Sequence, residues 1–565
     1  MKKYVIEGKA SISFDATTLD KRDTRRLNDL AADLKYKYAD ALDRYYKSYG
    51  KTPYWWLLGF VCRNTFQDDT FYKICLFYLI LEKLDENRYD KIIVDSQDIA
   101  DALRRYIRNR QINAIISMKE STGSLGTLLH NKLRCLYRKI AEAYALLKHR
   151  FYLMPQLRLN SMRPKSIDVL IVDILLCSRI NGETYDSRYC ADMYDYYNGD
   201  AYCSPEIVNN TSYGRKTIEK KINGIKNRKF VFMQEYSRWY DIIRYFSYHR
   251  YCCKLLRRRY DICGHDISPI IKSSIRRSKD NYYAISMYCA MKRLATTISI
   301  RKAIIWYEAR PIDIAVSMAL REANVNTERV GYLGYGLSEF MLGESPIVSQ
   351  VREHITPDVI SVPGEAYAES IKAFVPEQEV IIAPAFRVKI KEGVNKQKKV
   401  RTLLMLMSYF FDESSIMVEI VNEYIRSNPD INLKIQVKMH PVNASRGLEL
   451  YTNQKLLFEP EYVCGDASDL LRYSDVAFSG KSSVAMDVIC SGTYLICLCR
   501  LSQLCVTHIA PGVGEDRYSV VFDENDFEKA MTDAEVFNER SDKSEMIVKN
   551  YFVPANDESV KDLFA

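Results

Sequence analysis

A serine- and lysine-containing turn separates a strand-like run from a helix-like run in the segment YSDVAFSGKSSVAMDVICSGTYLICL. The pattern predicts a strand ending at Ser479, a tight turn at Gly480 and Lys481, and a helix that opens at Ser482 and Ser483. Open N–H groups of the helix would then lie at the sheet edge where doubly wound folds bind phosphates. The hydroxyls and the lysine would add hydrogen bonds and charge. An equally supported alternative is that Ser482 only caps its helix; the spacing of a P-loop is absent.

A histidine stands at the end of the preceding candidate strand, in Lys438-Met439-His440-Pro441. Proline cannot continue the strand, so the strand ends there and the imidazole is directed outward. A lone histidine is more often structural than functional. Here, however, it precedes the serine turn by about 40 residues in the same predicted sheet, and the carboxyl ends of parallel strands share one edge. We therefore predict that Lys438, His440 and Pro441 belong to the same phosphate or ribose site.

A carboxylate and an arginine complete the candidate reactive residues. Glu308 follows the apolar run KAIIWY, so we expect it at a strand end, where it can take a proton from an attacking hydroxyl. A structural ion pair of Glu308 with Arg310 or Arg387 is equally supported, and Asp313 and Glu339 are weaker candidates for the base. Arg387 stands just before a polar linker, and its planar fork suits a phosphate or a sugar carboxylate.

Regular alternation of strand-like and helix-like runs surrounds the serine turn. Short apolar runs bounded by polar and glycine residues indicate buried strands, and longer periodic runs indicate helices. The predicted strands are Val400–Ser408, Leu433–Lys438, Asp475–Ser479 and Thr493–Leu498, and the predicted helices are Ser414–Arg426, Ser468–Tyr473 and Ser482–Ser491. About five such units in about 140 residues predict a doubly wound α/β domain.

The preceding part of the chain is longer and less regular. A charged helical region ends at Gly50, and further helices are predicted near residues 71–84 and 234–295 and at Leu128–Phe151. Four runs are predicted as strands of one parallel sheet: Lys91–Ser96, Ile112–Ser117, Ser166–Cys177 and Lys302–Tyr307. The basic linker Lys389–Val400 separates the two parts. We therefore predict a helical extension at 1–50, a Rossmann-like domain with a basic helical insertion at 51–390, a second such domain at 399–540 and a tail at 541–565.

Composition limits the class of protein. The chain has 565 residues, of which 47% are hydrophobic and 27% charged, as expected for a soluble protein of more than one domain. The first residues, MKKYVIEGKASISFD, do not form a secretory signal, and no apolar run is long enough to span a membrane. The 15 cysteines lack metal-ligand spacing and fit reduced thiols. We therefore predict a cytoplasmic protein with no metal and no cofactor.

Positive charge is concentrated between Arg250 and Lys279, around the triplet Arg257–Arg259, although the formal net charge is only +9. Such a patch attracts anionic surfaces. Peripheral contact with the inner face of an anionic membrane is therefore one interpretation, and a solvated helix face is the other. Nucleic acid is disfavoured as a partner because no nucleic-acid-binding module accompanies the charge.

Together, the segments K-x-H-P and S-x-x-S-S-x-A-x-D resemble the nucleotide-binding half of bacterial GT-B glycosyltransferases of surface-carbohydrate (capsule and O-antigen) biosynthesis. That group includes Kdo transferases, sialyltransferases with an HP motif and CDP-glycerol transferases. The resemblance implies that His440, Ser482 and Ser483 contact the phosphate and ribose of a nucleotide, with Asp487 where glutamate is usual. It also implies the GT-B architecture, two Rossmann-like domains facing across a cleft, here with helical N-terminal additions. The first domain would bind the acceptor and the second the nucleotide-sugar.

Weaker matches to this family extend from about residue 50 to about residue 530. They include Tyr54-Trp55-Trp56, Trp306-Tyr307-Glu308, Arg329-Val330-Gly331-Tyr332 and Thr356-Pro357-Asp358. The family has Gln-His after the Gly-Tyr pair, where this chain has Leu333 and Gly334. If that histidine touches the substrate, the departure predicts a lost contact.

The function implied by the resemblance is metal-independent transfer of a sugar from a nucleotide-activated donor to a surface glycan or lipid-linked acceptor. A CMP-linked acidic sugar, Kdo or a relative of sialic acid, is the first expectation, and CDP-glycerol or a UDP-sugar is the next. A UDP-sugar epimerase of the same fold is disfavoured because only His508 is available as an added histidine. A non-catalytic protein that binds glycan or nucleotide is the remaining alternative.

Overall fold

The computed structural model describes residues 13–86, 89–119, 159–197, 199–208, 211, 213–278, 281–388, 399–440, 443, 447–539 and 550–565. The predicted helix Leu128–Phe151, most of the predicted linker and Pro441 lie outside these residues. The described residues belong to two units. One comprises those within 1–154, 242–282 and 501–504, and the other comprises those within 155–241, 283–500 and 505–565.

The described strands and helices are numbered in chain order. The strands are β1 Ser13–Asp15, β2 Lys91–Val94, β3 Ile115–Met118, β4 Ser166–Val172, β5 Ile174–Leu176, β6 Ile180–Asn181, β7 Thr184–Tyr185, β8 Ala201–Cys203, β9 Glu206–Val208, β10 Asp261–Ile262, β11 His265–Asp266, β12 Ser299–Trp306, β13 Glu328–Tyr332, β14 Val359–Val362, β15 Glu379–Ile382, β16 Thr402–Leu406, β17 Lys434–Lys438, β18 Pro460–Tyr462, β19 Val476–Ser479, β20 Tyr494–Leu498 and β21 Tyr518–Val521. The helices are α1 Lys21–Tyr49, α2 Gly59–Cys62, α3 Thr70–Asp85, α4 Gln97–Arg110, α5 Arg215–Asn223, α6 Ile242–Leu255, α7 Ser268–Ser278, α8 Tyr282–Thr297, α9 Pro311–Ala323, α10 Val348–Arg352, α11 Glu365–Lys372, α12 Phe411–Ser427, α13 Ala467–Leu471, α14 Val484–Cys490, α15 Glu524–Asn538 and α16 Lys561–Phe564.

The first unit has its own small parallel sheet, in the order β1-β2-β3. The long helix α1 begins where the Asp20 carboxylate accepts the backbone N–H of Asp23 at 2.8 Å. It packs on α3, where Arg26 makes a forked ion pair with Glu82 at 2.9 and 2.6 Å. We expected β2 and β3 to belong to the same sheet as Ser166–Cys177. That expectation is wrong, because β4 pairs with β12 and β8 in the second unit.

The first sheet of the second unit has six parallel strands in the order β15-β14-β13-β12-β4-β8. Most positions of β4, β12, β13 and β14 are buried, as is typical of a parallel sheet covered on both faces. Chain order reverses between β4 and β12, and such a reversal leaves a crevice at the carboxyl ends of the strands. The predicted strand Ser166–Cys177 is interrupted at Asp173, beyond which β5 pairs with β9 instead.

The second sheet of this unit, β18-β17-β16-β19-β20-β21, is also parallel throughout. In chain order this is the 3-2-1-4-5-6 arrangement of a Rossmann fold, with its reversal between β16 and β19. Two doubly wound sheets confirm the predicted α/β fold class with two Rossmann-like halves, and α1 confirms a helical addition before them. The division into four parts proposed from the sequence stays a prediction. Among the described helices, none combines the length and apolarity needed to cross a bilayer.

The last described segment, residues 550–565, contacts the first sheet as well as the second half, where the Tyr551 hydroxyl donates to the carbonyl of Pro511, between β20 and β21, at 2.9 Å. The backbone N–H of Val553 donates to the carbonyl of Pro363 at 2.8 Å, just after β14. The Arg301 guanidinium on β12 donates to the carbonyl of Ala565 at 2.9 Å. A Cβ on Gly364 would lie 2.4 Å from the Asn550 carbonyl oxygen, so the close approach of this segment requires glycine there. The segment therefore follows the second sheet in sequence and also contacts the first.

A buried arginine holds the start of β13. Arg329 is fully buried, and its guanidinium pairs with Asp358 at 2.9 and 2.6 Å. It also donates to the carbonyls of Ser317 at 3.2 Å and His354 at 2.9 Å. These contacts join β13 to α9 and to the turn before β14.

We expect Asp358→Ala to destabilise the protein by about 3–5 kcal/mol, because it leaves a buried guanidinium without its counter-charge. Chemical denaturation followed by circular dichroism would measure the change. The control is Asp168→Ala, which removes a pair with Arg301 in which both side chains are more than 40% exposed; it should cost at most about 1 kcal/mol. If the two variants lost the same free energy of unfolding, burial of Arg329 would not explain the contribution of its ion pair to stability.

Candidate functional site

The carboxyl ends of β16 and β19 meet at the reversal point of the second sheet. Gly480 follows β19, and a Cβ on it would lie only 2.4 Å from the carboxyl carbon of Glu413 at the start of α12. Glu413 is buried and accepts a hydrogen bond from the Ser408 hydroxyl after β16. A side chain larger than glycine's at position 480 would therefore have to displace the carboxylate of Glu413. Ser479 is fully buried, and its hydroxyl donates to the Gly480 carbonyl at 3.3 Å.

The two serines at the start of α14 have different surroundings. The Ser482 hydroxyl accepts the backbone N–H of Val484 at 3.4 Å, which is a weak form of the capping role considered above. Ser483 instead accepts a hydrogen bond from the Arg387 guanidinium at 3.0 Å. Arg387 follows β15 of the first sheet, so this contact joins the two Rossmann-like halves. Lys481 is half-buried in the same turn.

His440 lies just after β17 and is also half-buried. Its ring makes an edge contact with the Tyr409 ring, with centroids 5.4 Å apart. Burial, together with the positive charges of Arg188 and Lys438, lowers the pKa of His440 below its usual value. The imidazole is therefore predominantly neutral at neutral pH. Tyr409, which follows β16, remains 57% exposed beside it.

Arg188 is a site residue that the sequence did not reveal. It lies in the loop after β7, and burial and the charge of Arg387 lower the pKa of its guanidinium. Its charge acts in turn on His440 of the other half. The neighbouring Tyr189 ring packs on the Trp306 ring at 4.7 Å. Nothing in the local sequence distinguishes Arg188, because Arg387, Glu308 and His440 are more than 100 residues away in the chain.

A buried carboxylate shapes the loop that carries Arg188. Asp173, at the end of β4, accepts the backbone N–H of Ile174 at 2.7 Å and the Tyr185 hydroxyl at 3.1 Å. Ser187 also hydrogen-bonds to Asp173, and its hydroxyl accepts the backbone N–H groups of Tyr189 and Cys190 at 3.1 and 2.9 Å. Arg188 is thus held between two residues whose positions are fixed from the end of β4.

Glu308 lies two residues after β12, and its side chain is 30% exposed. The Trp306 indole N–H donates to one carboxylate oxygen at 2.8 Å, and Arg310 lies 3.7 Å from the other. The Asp313 carboxylate accepts the backbone N–H groups of Glu308 and Arg310, both at 3.0 Å. Between them Ala309 has a φ of +50°, a conformation that costs energy for a side chain larger than glycine's. The predicted ion pair with Arg310 is therefore present, and one edge of the carboxylate is fixed by Trp306.

Arg310 is itself surrounded by acidic groups. Its guanidinium contacts Asp313 at 2.8 Å and Glu206 at 3.1 Å. Burial opposes its charge, but Asp313, Glu206 and Glu308 together raise the pKa of Arg310 well above its usual value. Carboxylates therefore outnumber the cation at the reversal point of the first sheet, whereas arginine and histidine predominate beside the second.

Two further titratable groups flank the serine turn. Burial raises the pKa of Asp487 on α14 to about 7, against the opposing charge of Arg387. Burial lowers the pKa of His508 to about 4, together with the charges of Arg387 and Lys481. A hydrogen bond between His508 and the backbone of Gly336 opposes that shift. His508 therefore connects the loop after β13 with the charges beside the serine turn.

The structure brings together Arg387, Ser483, His440 and the unpredicted Arg188, with Glu308 close enough to act on the charge of Arg188. Two lysines add positive charge to the same region. Lys438 helps to lower the pKa of His440, and Lys481 helps to lower the pKa of His508. Several partly desolvated cations beside serine hydroxyls can hold an anion with two charged groups. Within the described part of the chain, no set of three His, Cys, Asp or Glu side chains is grouped to hold a metal ion.

Neither a protein-family model nor a curated relative matches this sequence. Among solved structures, Acinetobacter baumannii MurG is similar with a TM-score of 0.40 and 9% identity, over 70% of this chain and 99% of that one. S. aureus MnaA bound to UDP is similar with a TM-score of 0.39 and 10% identity, over 71% of this chain and 95% of that one. Methanocaldococcus jannaschii UDP-GlcNAc 2-epimerase in complex with UDP-GlcNAc and UDP has a TM-score of 0.38 and 12% identity, over 70% of this chain and 98% of that one.

The carboxyl group of Asp173 predicts a pH-dependent stability. Its pKa is raised to about 6 in the folded protein, against about 3.9 in an unfolded chain. The folded state therefore holds the proton more tightly, and the free energy of unfolding falls as the pH rises from about 4 to about 6. We expect the difference in unfolding free energy between wild type and Asp173→Asn to fall by up to about 3 kcal/mol across that window.

Urea denaturation of both proteins at a series of pH values would measure this difference. A constant offset of Asp173→Asn would show only the loss of hydrogen bonds. Parallel curves from about pH 4 to about pH 7 would therefore contradict the raised pKa.

Proposed function

We propose that this protein is a metal-independent glycosyltransferase that binds a nucleotide-activated sugar between the arginine pair and the serine turn. Its acceptor is a surface glycan or a lipid-linked sugar. The observation that carries the proposal is the hydrogen bond from Arg387 of the first half to Ser483 of the second, beside Arg188 and His440. Two arginines of the first half thus meet a serine and a histidine of the second half at the reversal point of a Rossmann sheet, where such folds bind phosphorylated ligands.

The electrostatics favour an anion over a neutral ligand. Arg188 and Arg387 repel each other, and burial removes part of the water that would screen them. A phosphate group between them relieves that repulsion through charge-assisted hydrogen bonds. His440, which is largely neutral at neutral pH, then contributes hydrogen bonding to phosphate or ribose rather than charge.

The two arginines accommodate more than one class of donor. A CMP-linked Kdo or sialic acid carries one phosphate and one carboxylate, and a UDP-sugar carries two phosphates. Both fit a pair of arginines, and CDP-glycerol fits as well. We propose a CMP-linked acidic sugar as the first donor to test and a UDP-sugar as the alternative, because only the sequence motifs favour the former.

Glu308 is the proposed catalytic base. Trp306 and Arg310 fix the orientation of its carboxylate, while 30% of the side chain remains exposed to a substrate. Oriented in this way, the carboxylate can accept the proton of an acceptor hydroxyl as that hydroxyl attacks the donor's anomeric carbon. The alternative, a protein that binds a nucleotide without turnover, rests on the same ion pair with Arg310, in which Glu308 has a structural role.

The binding site is tested by thermal shift and titration calorimetry with CMP, CDP, UMP, UDP and GDP. A ligand that binds the folded state raises the unfolding temperature, and we expect a rise with a cytidine or uridine nucleotide that is lost in His440→Ala. Arg188→Met should weaken the binding at least about tenfold, because a charge-assisted contact contributes about 1.5–3 kcal/mol.

The matched control is Arg215→Met on α5, whose guanidinium lies 3.1 Å from Glu219. It should leave the affinity unchanged. If no nucleotide raises the unfolding temperature of the wild-type protein, the proposed site is wrong.

The catalytic role of Glu308 predicts a separation of binding from turnover. In Glu308→Gln we expect release of nucleotide from the productive donor to slow by at least about 100-fold, since general base catalysis contributes about 10²–10⁴, with unchanged nucleotide affinity. Donor consumption would be followed by chromatography with CMP-Kdo, CMP-sialic acid, CDP-glycerol and UDP-GlcNAc. Glu328→Gln, at the opposite end of the first sheet, is the control. Nucleotide binding by wild type without consumption of any donor would support the non-catalytic alternative.

A further inference from the structure

The helix α6 presents an unusual surface stripe. Ile243 and Phe246 are 62% and 61% exposed, and Ser247, Arg250 and Lys254 are exposed as well. With about 100° of rotation per residue, these five positions fall within an arc of about 100° on one side of the helix. The stripe is therefore apolar in its first half and basic in its second.

The opposite side of α6 is fixed to the rest of its unit. Tyr248, Cys252 and Leu255 are buried, and the Tyr248 hydroxyl donates to the Ser278 carbonyl at 2.6 Å. The Tyr251 hydroxyl donates to the carbonyl of Tyr49 at 2.8 Å. The outward orientation of Ile243 and Phe246 is thus imposed by packing on the other side of the helix.

The charge around the stripe has one sign. Residues 242–260 contain Arg244, Arg250, Lys254 and the triplet Arg257–Arg259 but no acidic residue. The three arginines that follow α6 are exposed, and Arg258 lies over the Tyr49 ring at 5.3 Å. Two bulky apolar side chains next to six cations match a surface that is anionic outside and apolar beneath, which is the interface of an anionic bilayer.

We propose that the outer face of α6 docks this protein on anionic phospholipid bilayers. Ile243 and Phe246 enter the interface between headgroups and acyl chains, while Arg250 and Lys254 pair with lipid phosphates. Nucleic acid would use the basic residues alone and would leave the two apolar side chains in water. The apolar half of the stripe is therefore what favours a bilayer. This surface does not depend on the proposed transferase activity.

The test is co-sedimentation of the full chain with phosphatidylcholine vesicles, with and without phosphatidylglycerol. We expect binding only to vesicles with phosphatidylglycerol, and less binding at high salt. Arg250→Glu with Lys254→Glu should weaken binding at least about tenfold. Ile243→Ser with Phe246→Ser should also weaken it about tenfold through lost apolar burial. Unchanged unfolding temperatures would show that these exposed substitutions leave the fold intact.

The matched control is Lys216→Glu with Lys220→Glu on α5, another pair of exposed lysines, which changes the net charge by the same amount. Retained binding by this control would show that the position of the charge matters. Three results would overturn the proposal: equal loss in the control, equal binding to neutral vesicles, or full binding by the Ile243→Ser, Phe246→Ser variant. The last would indicate a general polyanion surface.

Discussion

The constraint on which the site depends is the burial of like charges that act on each other. Arg188 and Arg387 come from different loops of the first half, and burial together with the charge of Arg387 lowers the pKa of Arg188. An unliganded protein can hold such groups together only if the surrounding backbone does not yield to the repulsion. The hydrogen bond of Arg387 to Ser483 and the anchored loop of Arg188 provide that rigidity.

Buried carboxylates fix the backbone after three of the strands that surround the site. Asp173 organises the loop after β4, and Asp313 holds the turn after β12 through two backbone N–H groups. Glu413 closes the space beside Gly480 after β19. Each carboxylate accepts at least one hydrogen bond from a neighbouring segment, which offsets part of the cost of its burial. The residues proposed to act on a substrate lie within two residues of these anchored segments or in contact with them.

The centre of the second sheet was predictable from the sequence, because β16, β19 and β20 are short apolar runs that are buried on both faces and bounded by turn residues. The predicted strand Asp475–Ser479 corresponds to Val476–Ser479, and Thr493–Leu498 to Tyr494–Leu498. The edge strand Pro460–Tyr462 was not predicted, because it is mostly exposed and lacks apolar periodicity. The interruption of Ser166–Cys177 at Asp173 was also missed, since a single polar residue in an apolar run does not reveal a change of sheet.

The candidate site was predictable only in part, for a similar reason. His440, Ser482 and Ser483 follow recognisable strand and helix signals, whereas Arg188 lies in a loop with no such signal. Its relation to His440 arises from tertiary structure across about 250 residues of chain. The hydrogen bond from the Trp306 indole to Glu308 could not be predicted from the sequence, because it depends on how the backbone turns at Ala309.

The separation of charge between the two reversal points would orient a bound ligand. Glu206, Glu308 and Asp313 gather around Arg310 beside the first sheet, while Arg188 and His440 lie towards the second. A bound anion would be attracted to the second sheet and repelled by the carboxylates of the first. Its uncharged portion would then face Glu308, the carboxylate that retains substantial exposure. The same electrostatic difference that positions a phosphate would therefore also position a neutral hydroxyl-bearing partner beside the proposed base.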